Sequence, residues 1–412
     1  MRMNLKYVSN LLLIGGFVVL LGLTWYNTPI TSEEEYSFYE NRNLAVPPEY
    51  NSEDFWSGQY CTDWETYLKD HIAGRDWMLE QYTRVSRDVL GKPVVGEILK
   101  SSDGTKLMPL LSFSQRSTES AEPAAQEMAA RLSTLNQLVE SYGGKFLYVG
   151  LPEQEVYFEE QYPFYAYNQA ESWQAEKDAF CNALDAQGIQ FLDMNQVFDD
   201  MGHPDWVYSA TDHHYNYYGA FYTYQAIMNT INKGREQPLP VLQKSDLDFQ
   251  ALPNPFIGSR NRKWFGQFET EDQLIMGILK QDIPFRRYIM GNEVAAELYA
   301  IPETTDEWVT YDCYNGGDRA ECIIETDREE LPTLLMFGDS FTNPLETLLY
   351  TSFDKSIYVD LREINYLTQG ILAYVEQYQP DYVVCVRDNS QYLNLTGNGV
   401  IGYEAPIEAT KQ

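Results

Sequence analysis

Histidine is scarce in this chain: His71, His203, His213 and His214 are the whole supply among 412 residues. Any chemistry that needs an imidazole base must draw on those four, and a metal centre built from several histidine and cysteine clusters has no second cluster to use. Basic residues are also few. Lysine and arginine number 29 against 61 aspartates and glutamates, a net charge of −32, which argues against a basic face for nucleic acid or anionic lipid. The same charge repels polyanions, so a highly acidic polymer is a poor substrate unless the site is locally neutral or basic. Cysteine is limited to five residues, an odd number that leaves at least one thiol unpaired in an exported chain. Cys313 and Cys322 flank the turn sequence Asn315-Gly316-Gly317-Asp318, and that arrangement predicts a disulfide between them, with free thiols as the competing view. Cys61, Cys181 and Cys385 have no partner that the sequence selects. Internal repeats and long low-complexity tracts are absent.

What is present begins with size: 44% hydrophobic residues over this length suffice for one large core or two moderate ones. Residues 7–26 carry no charge and, as a helix, would span roughly 30 Å. Arg2 and Lys6 precede this run and Glu33, Glu34 and Glu35 follow it. The charge asymmetry predicts residues 1–6 as a cytoplasmic tail, residues 7–26 as a single membrane anchor, and the remainder outside a bacterial cell membrane. A cleaved signal peptide is the alternative; no small-x-small site stands out after Leu23, and Trp25 and Tyr26 suit an interfacial anchor.

Residues 27–60, with Pro29, Pro47 and Pro48, read as a linker. Residues 61–395 read as the main domain. Within it, helical spacing over 121–142, 171–187 and 217–233 alternates with apolar runs at 146–151 and 189–194, and the rhythm resumes with strands at 333–337, 356–361 and 382–387. This alternation predicts an α/β fold with a mainly parallel sheet flanked by helices. Residues 243–332, rich in proline and short strand-like runs, break the rhythm and are expected to be an inserted irregular or β region that walls or lids the site. Residues 396–412 read as a C-terminal tail.

Met336-Phe337-Gly338-Asp339-Ser340-Phe341 places a serine where a buried strand gives way to a helix, the position at which α/β sheets build sites and helix N-terminal N–H groups can face an oxyanion. By itself the tripeptide is also an ordinary capped turn. A serine becomes a nucleophile when a base takes its proton and a carboxylate orients that base. Thr211-Asp212-His213-His214-Tyr215 supplies both: Asp212 and His214, two positions apart, can point the same way on an extended segment. His214 is therefore the first choice of base, with His213 directed elsewhere. Two histidines and an aspartate could also hold a metal, but further ligands are not evident and none is expected.

These two motifs, Asp212-His213-His214-Tyr215 and Gly338-Asp339-Ser340-Phe341, resemble those of the DHHW family of membrane-anchored bacterial proteins and, through it, the SGNH-hydrolase-like acetyltransferases of the AlgX and AlgJ type. Glu40-Asn41-Arg42, Tyr67-Leu68-Lys69-Asp70-His71, Gly74-Arg75-Asp76 and Phe256-Ile257-Gly258-Ser259 extend the resemblance, which covers most of residues 36–390. Tyr215 stands where the family name has tryptophan, and Glu153 follows Pro152 where a basic residue is expected. The Asp/His pair precedes the serine, the reverse of ordinary SGNH hydrolases, which geometry-based recognition of triads permits.

The resemblance implies an SGNH-hydrolase-like domain acting as a serine O-acyltransferase, with acetyl as the acyl group, a cell-surface or exported polysaccharide as acceptor, and a donor delivered by a membrane-bound O-acyltransferase. Ser340 would be the nucleophile, His214 the base and Asp212 its orienting carboxylate. The Ser340 N–H, Asn343 and Gly258 are the oxyanion-hole candidates, with a plain turn as the competing reading of Gly258-Ser259. Aromatic residues crowd the Asp/His motif, and Trp206, Tyr208 and Tyr215 are candidate sugar contacts beside a core reading. Arg362 and Arg387 are candidates for orienting substrate, against a surface role. No cofactor and no nucleic acid are expected. A carbohydrate acetylesterase using the same residues, and a non-catalytic polysaccharide-binding scaffold, remain the alternatives.

Overall fold

The computed structural model describes residues 5–28, 34–110, 118–166 and 169–407. The chain divides into two compact units, Met1–Glu97 with Asn261–Glu269, and Ile98–Arg260 with Thr270–Gln412. The boundary expected at residues 60 and 61 thus falls inside the first unit.

In the first unit the uncharged run does form a helix, Leu5–Asn27. Among the described residues no helix is long and apolar enough to cross a membrane, so the anchor expected over residues 7–26 is not found there. Residues read as linker are partly structured: Tyr36–Ser37 pairs with Arg42–Asn43, and Asn51 caps the helix Ser52–Ser57 by accepting the Glu53 N–H at 2.9 Å. Three of the family-like stretches meet here as a clasp. Arg42 donates two hydrogen bonds to Asp70, at 2.8 and 2.5 Å, and the Ala45 N–H adds a third at 2.9 Å. The Arg42 guanidinium, helped by that N–H, holds the Asp70 carboxyl at a pKa of about 2 against the opposing effect of burial. His71 Nε2 lies 2.9 Å from the Ala45 carbonyl and Arg75 donates to Glu40 at 2.8 Å. These residues fasten the strand pair to the helices Gln59–His71 and Arg75–Arg84, which accounts for their motif without chemistry.

The second unit is organised on an eight-stranded sheet. Its strands are β1 (Lys145–Leu151), β2 (Gln190–Asp193), β3 (Arg286–Ile289), β4 (Asn292–Val294), β5 (Glu321–Glu325), β6 (Thr333–Gly338), β7 (Lys355–Val359) and β8 (Tyr382–Asp388), in spatial order β4-β3-β5-β7-β6-β8-β1-β2. The run β7-β6-β8-β1-β2 is parallel throughout, as the alternation of strands and helices predicts. The other three strands are antiparallel, so the sheet is mixed. They come from the stretch expected to be an insertion: β3 and β4 form a hairpin across Met290 and Gly291, both at positive φ (48° and 74°), and with β5 they extend the edge of the sheet beyond β7.

Helices cover both faces. Alternation along β6 sends Leu335 and Phe337 into a cluster with Leu132 of α1 (Thr118–Ser141), Phe180 of α2 (Ala170–Ala186) and Val375 of the C-terminal helix Ile371–Tyr378. Leu334 and Met336 are buried on the other face, toward α3 (Tyr217–Asn232) and α4 (Thr342–Leu349), which pack together and share a 2.9 Å hydrogen bond between Tyr217 Oη and Thr347 Oγ1. Each such fully buried side chain contributes about 1.5–3 kcal/mol, which pins the strand whose end carries the serine.

All five cysteines are free, so the expected Cys313–Cys322 disulfide is not formed. Cys313 ends the short helical turn Tyr311–Cys313, whereas Cys322 is held in β5 between Ile289 and Tyr358 with its thiol against Arg287 and Asn315. Burial pushes each of these two thiols up to about 11, which keeps them protonated at neutral pH.

Candidate active site

β6 ends where it does because its last residue has no side chain. A Cβ on Gly338 would lie 2.0 Å from the Val386 carbonyl oxygen and 2.8 Å from Thr342 Cγ2, so only glycine lets the strand turn between β8 and α4. The turn that follows is tied down on every side except at Ser340. Asp339 accepts the Phe341 N–H and the Asp388 N–H, each at 3.0 Å, Tyr215 Oη donates to the Phe341 carbonyl, and Asn398 donates to the Gly338 carbonyl at 2.6 Å. Ser340 is left partly exposed, and its N–H has no acceptor among the described residues.

The Asp/His segment is an equally constrained loop. Tyr208 and Tyr215 pair across its neck, and Asp272 gathers its backbone by accepting the N–H groups of Ala210 (2.8 Å) and Thr211 (3.0 Å) together with the hydroxyls of Ser209 and Thr211. Behind the loop lies Gly258. A Cβ there would be 2.3 to 2.5 Å from Thr211 C, Thr211 O and Asp212 N, so the glycine allows two backbones to touch. That contact brings the Ser259 N–H to Asp212 Oδ2 at 2.6 Å. Gly258 therefore supports the carboxylate from behind. Gly258→Ala is expected to displace Asp212, cutting turnover at least about a hundredfold, as misplacement of a catalytic group does, and lowering the thermal midpoint by several degrees. Steady-state rates alongside a thermal melt check both.

The loop delivers its side chains in line. His214 Nδ1 lies 2.7 Å from Asp212 Oδ1, and His214 Nε2 lies 2.6 Å from Ser340 Oγ. The imidazole is sandwiched, with Tyr311 stacked on one side (ring centroids 3.8 Å, interplanar angle 8°) and Phe341 edge-on at 4.8 Å. Burial alone would raise the pKa of Asp212, but the two adjacent histidines and the Ser259 N–H outweigh it and hold the carboxyl far below the usual carboxylate range. An ionised Asp212 accepts from Nδ1–H, which leaves Nε2 free to accept the serine proton. The ring of His213 is half-exposed, with Nδ1 2.9 Å from Ser259 Oγ and 3.4 Å from Asp212 Oδ1, and it makes no hydrogen bond to Ser340 among the described residues. Asp212, His213 and His214 present ligand atoms within 4.8 Å of one another, but Asp212 and both nitrogens of His214 are already engaged in the relay.

The remaining predicted residues separate into those near the serine turn and those that pack the fold. Asn343, buried in the first turn of α4, donates from Nδ2 to Asp318 at 2.9 Å and keeps a second amide hydrogen. Arg362 grips Asp360 and reaches Asp318 at 3.0 Å, so it braces the partner of Asn343. Tyr215 and Tyr208 are buried props, the latter donating to the Pro152 carbonyl, which removes them as sugar contacts. Trp206 is half-exposed beside Tyr218 and Tyr222. Arg387 is fully buried in β8, against Met128 and the Asn394 carbonyl, and has neither a surface role nor access to substrate. Asp272, Tyr311, Asp318 and Asn398 were not legible as site residues. Asn398, which lies in the stretch read as a tail, fixes both Gly338 and Leu361.

Asp339 is buried, and that burial, reinforced by the nearby Asp388 charge, pushes its pKa up to about 7. Its folded pKa thus exceeds the unfolded value of about 3.9, so the folded state holds a proton the unfolded chain has lost, and stability falls as pH rises from about 4 to about 7. Glu153 and Glu346, both raised by burial, act in the same direction. Urea midpoints are expected to drop between pH 5 and pH 7, and more shallowly in Asp388→Asn, which removes the neighbouring charge.

A parallel core sheet with an antiparallel edge, a serine turn at the end of its central strand and an Asp-x-His loop beside it define an SGNH-hydrolase-like α/β domain. Residues 111–254 match the family described as SGNH hydrolase-like domain, acetyltransferase AlgX. The structure of Bacillus cereus PatB1 superposes with a TM-score of 0.58 at 19% identity, covering 72% of this chain and 96% of that one. A PatB1 structure with a sulfonyl adduct gives 0.57 at 20% identity, covering 72% and 95%. A DHHW family protein from Eubacterium siraeum gives 0.55 at 16% identity, covering 73% and 93%. No curated protein matches this sequence. The likeness to the DHHW family and AlgX-type domains read from the two motifs is borne out.

Proposed function

We propose that the chain is an O-acetyltransferase that works outside the cytoplasm, passing acetyl through Ser340 to a hydroxyl of a cell-surface or exported polysaccharide. The observation that carries this reading is the unbroken relay from Asp212 through His214 to Ser340 Oγ, with separations of 2.7 and 2.6 Å, in a domain whose matching family is an acetyltransferase. His214 Nε2 takes the Ser340 proton as Oγ attacks the acetyl carbonyl of the donor. The oxyanion is stabilised by the Ser340 N–H and the free amide hydrogen of Asn343. Collapse breaks the bond to the donor oxygen, which leaves with the proton from His214, and Ser340 holds the acetyl group. A sugar hydroxyl then gives its proton to His214 and attacks the acyl-serine, and collapse restores the Ser340 hydroxyl. Asp212 stays ionised throughout and steadies the imidazolium. The acyl donor would come from a membrane-bound O-acyltransferase, as the family resemblance implies.

Transfer and hydrolysis share the acyl-serine and differ in what meets it. A hydroxyl held in place reaches effective molarities far above the roughly 55 M of water, so a bound glycan wins the partition. The test offers the protein an activated acetyl ester with a panel of oligosaccharides and follows sugar mass alongside free acetate. Acetylated sugar with faster turnover is the expected result. Fast deacetylation of an acetylated polysaccharide with no sugar acetylation would make the protein an esterase, and no acyl-serine with any donor would make it a scaffold.

A further inference from the structure

A cavity of about 910 Å³ lies between α2 and the segments that leave the carboxyl ends of β1, β2 and β8. Pro152 follows β1, Asp193 ends β2 and Asn389 follows β8, and all three line it. Ser340 stands at the same edge of the sheet, after β6. The strand order β6-β8-β1-β2 puts the cavity one to three strand spacings, about 5–14 Å, from the serine. The two are linked by hydrogen bonds along this edge: Asp388 donates its N–H to the Asp339 carboxylate at 3.0 Å, and the Asn389 side-chain oxygen accepts the Glu153 N–H at 2.6 Å. A chain laid along this edge with one unit at Ser340 would place its next units in the cavity.

The lining says what kind of chain fits. Trp173 is half-buried there, and its ring stacks on no other ring among the described residues, which leaves a face for an apolar sugar surface. Gln174 and Asn195 each donate one amide hydrogen to a neighbouring carboxylate, Asp178 at 2.7 Å and Asp199 at 3.1 Å, and keep a second amide hydrogen and a carbonyl oxygen suited to hydroxyls. The lysine in the lining, Lys177, is already paired with Asp193 at 2.5 Å, while several further carboxylates face the space, so an anionic sugar would meet repulsion without a counter-charge.

We propose that this cavity is an extended acceptor subsite for an uncharged glycan, holding the sugars that flank the one acetylated at Ser340. The assignment rests on the acetyltransferase reading for the sugar at Ser340, but binding in the cavity can be tested without turnover. Calorimetric titration of the full chain with cello- and chito-oligosaccharides is expected to show affinity rising from dimer to hexamer. Trp173→Ala is expected to weaken hexamer binding about tenfold, the scale of a lost ring contact. Asn195→Trp, which fills the cavity, should do the same if Trp173→Ala proves unstable, whereas Trp56→Ala, at an exposed tryptophan of the first unit, should leave binding unchanged. The subsite is overturned if neither neutral hexamer binds the wild type, if Trp173→Ala and Asn195→Trp bind as the wild type does, or if a hexagalacturonate or a fully deacetylated chitosan hexamer binds more tightly than the neutral ones. Labelling of Ser340 by an activated acetyl ester, measured in parallel, separates the two readings: hexamer binding without labelling leaves the subsite standing and removes the acetyltransferase, and labelling without hexamer binding does the reverse.

Discussion

Ser340→Ala is expected to abolish covalent acylation and to reduce acetyl transfer by about three to six orders of magnitude while the protein stays folded. The size of the loss follows from the chemistry, since without Oγ there is no atom to carry the acetyl group. That the fold survives follows from the turn. Gly338, Asp339 and Phe341 are each fixed by contacts that do not involve the serine hydroxyl, whose recorded partner is His214. A partly exposed side chain with that single bond should change stability by about 0.5 kcal/mol or less. Intact-mass spectrometry after mixing with an activated acetyl ester, with a thermal melt on the same sample, reads both outcomes. A wild-type level of acylation in the alanine variant would move the nucleophile elsewhere.

His214→Ala should be almost as damaging, because a serine without its base is a poor nucleophile and the two groups act as a unit. The double variant Ser340→Ala/His214→Ala should then be no worse than either single one. Unlike the serine, His214 fills space between Tyr311 and Phe341, so its removal should also cost about 1–3 kcal/mol of stability; His214→Gln, closer in size, separates the two effects. His213→Ala should be much milder, within about tenfold of wild type, since that ring is half-exposed and bonded to Ser259. Acylation rates for the three variants decide the matter. A folded His213→Ala as inactive as His214→Ala would contradict the choice of base.

The relay was legible in the sequence because it is written locally. A scarce residue type, doubled beside an aspartate, and a serine at a strand-to-helix junction are short-range signals, and the parallel half of the sheet has its own periodicity. Residues that act over long separations leave no such trace. Asp272 holds the backbone of Ala210 and Thr211 from some sixty positions away, and Asn398 holds Gly338 from a similar distance. Tyr311 belongs to a region whose broken rhythm reads as an insertion, although part of that region extends the main sheet. The motif flags Gly258 only as a glycine, and the touching backbones show how it serves Asp212. Arg387 and Tyr215 mislead, since a polar or aromatic residue near a motif looks like a ligand contact until its burial is known. The cysteine pair failed because a turn sequence between two cysteines says nothing of which way β5 points its thiol.

The central claim is that acetyl passes through Ser340 on its way to a sugar. The most direct measurement is a pulse and chase: the protein is loaded with isotopically labelled acetyl from an activated ester, freed of excess donor, and mixed with a neutral hexasaccharide, while peptide mapping follows the label. The account predicts label on the peptide containing Ser340 after the pulse, and its loss from that peptide at the rate at which labelled sugar appears. Label that never reaches Ser340, or that leaves it only as free acetate at a rate the sugar does not change, would contradict it.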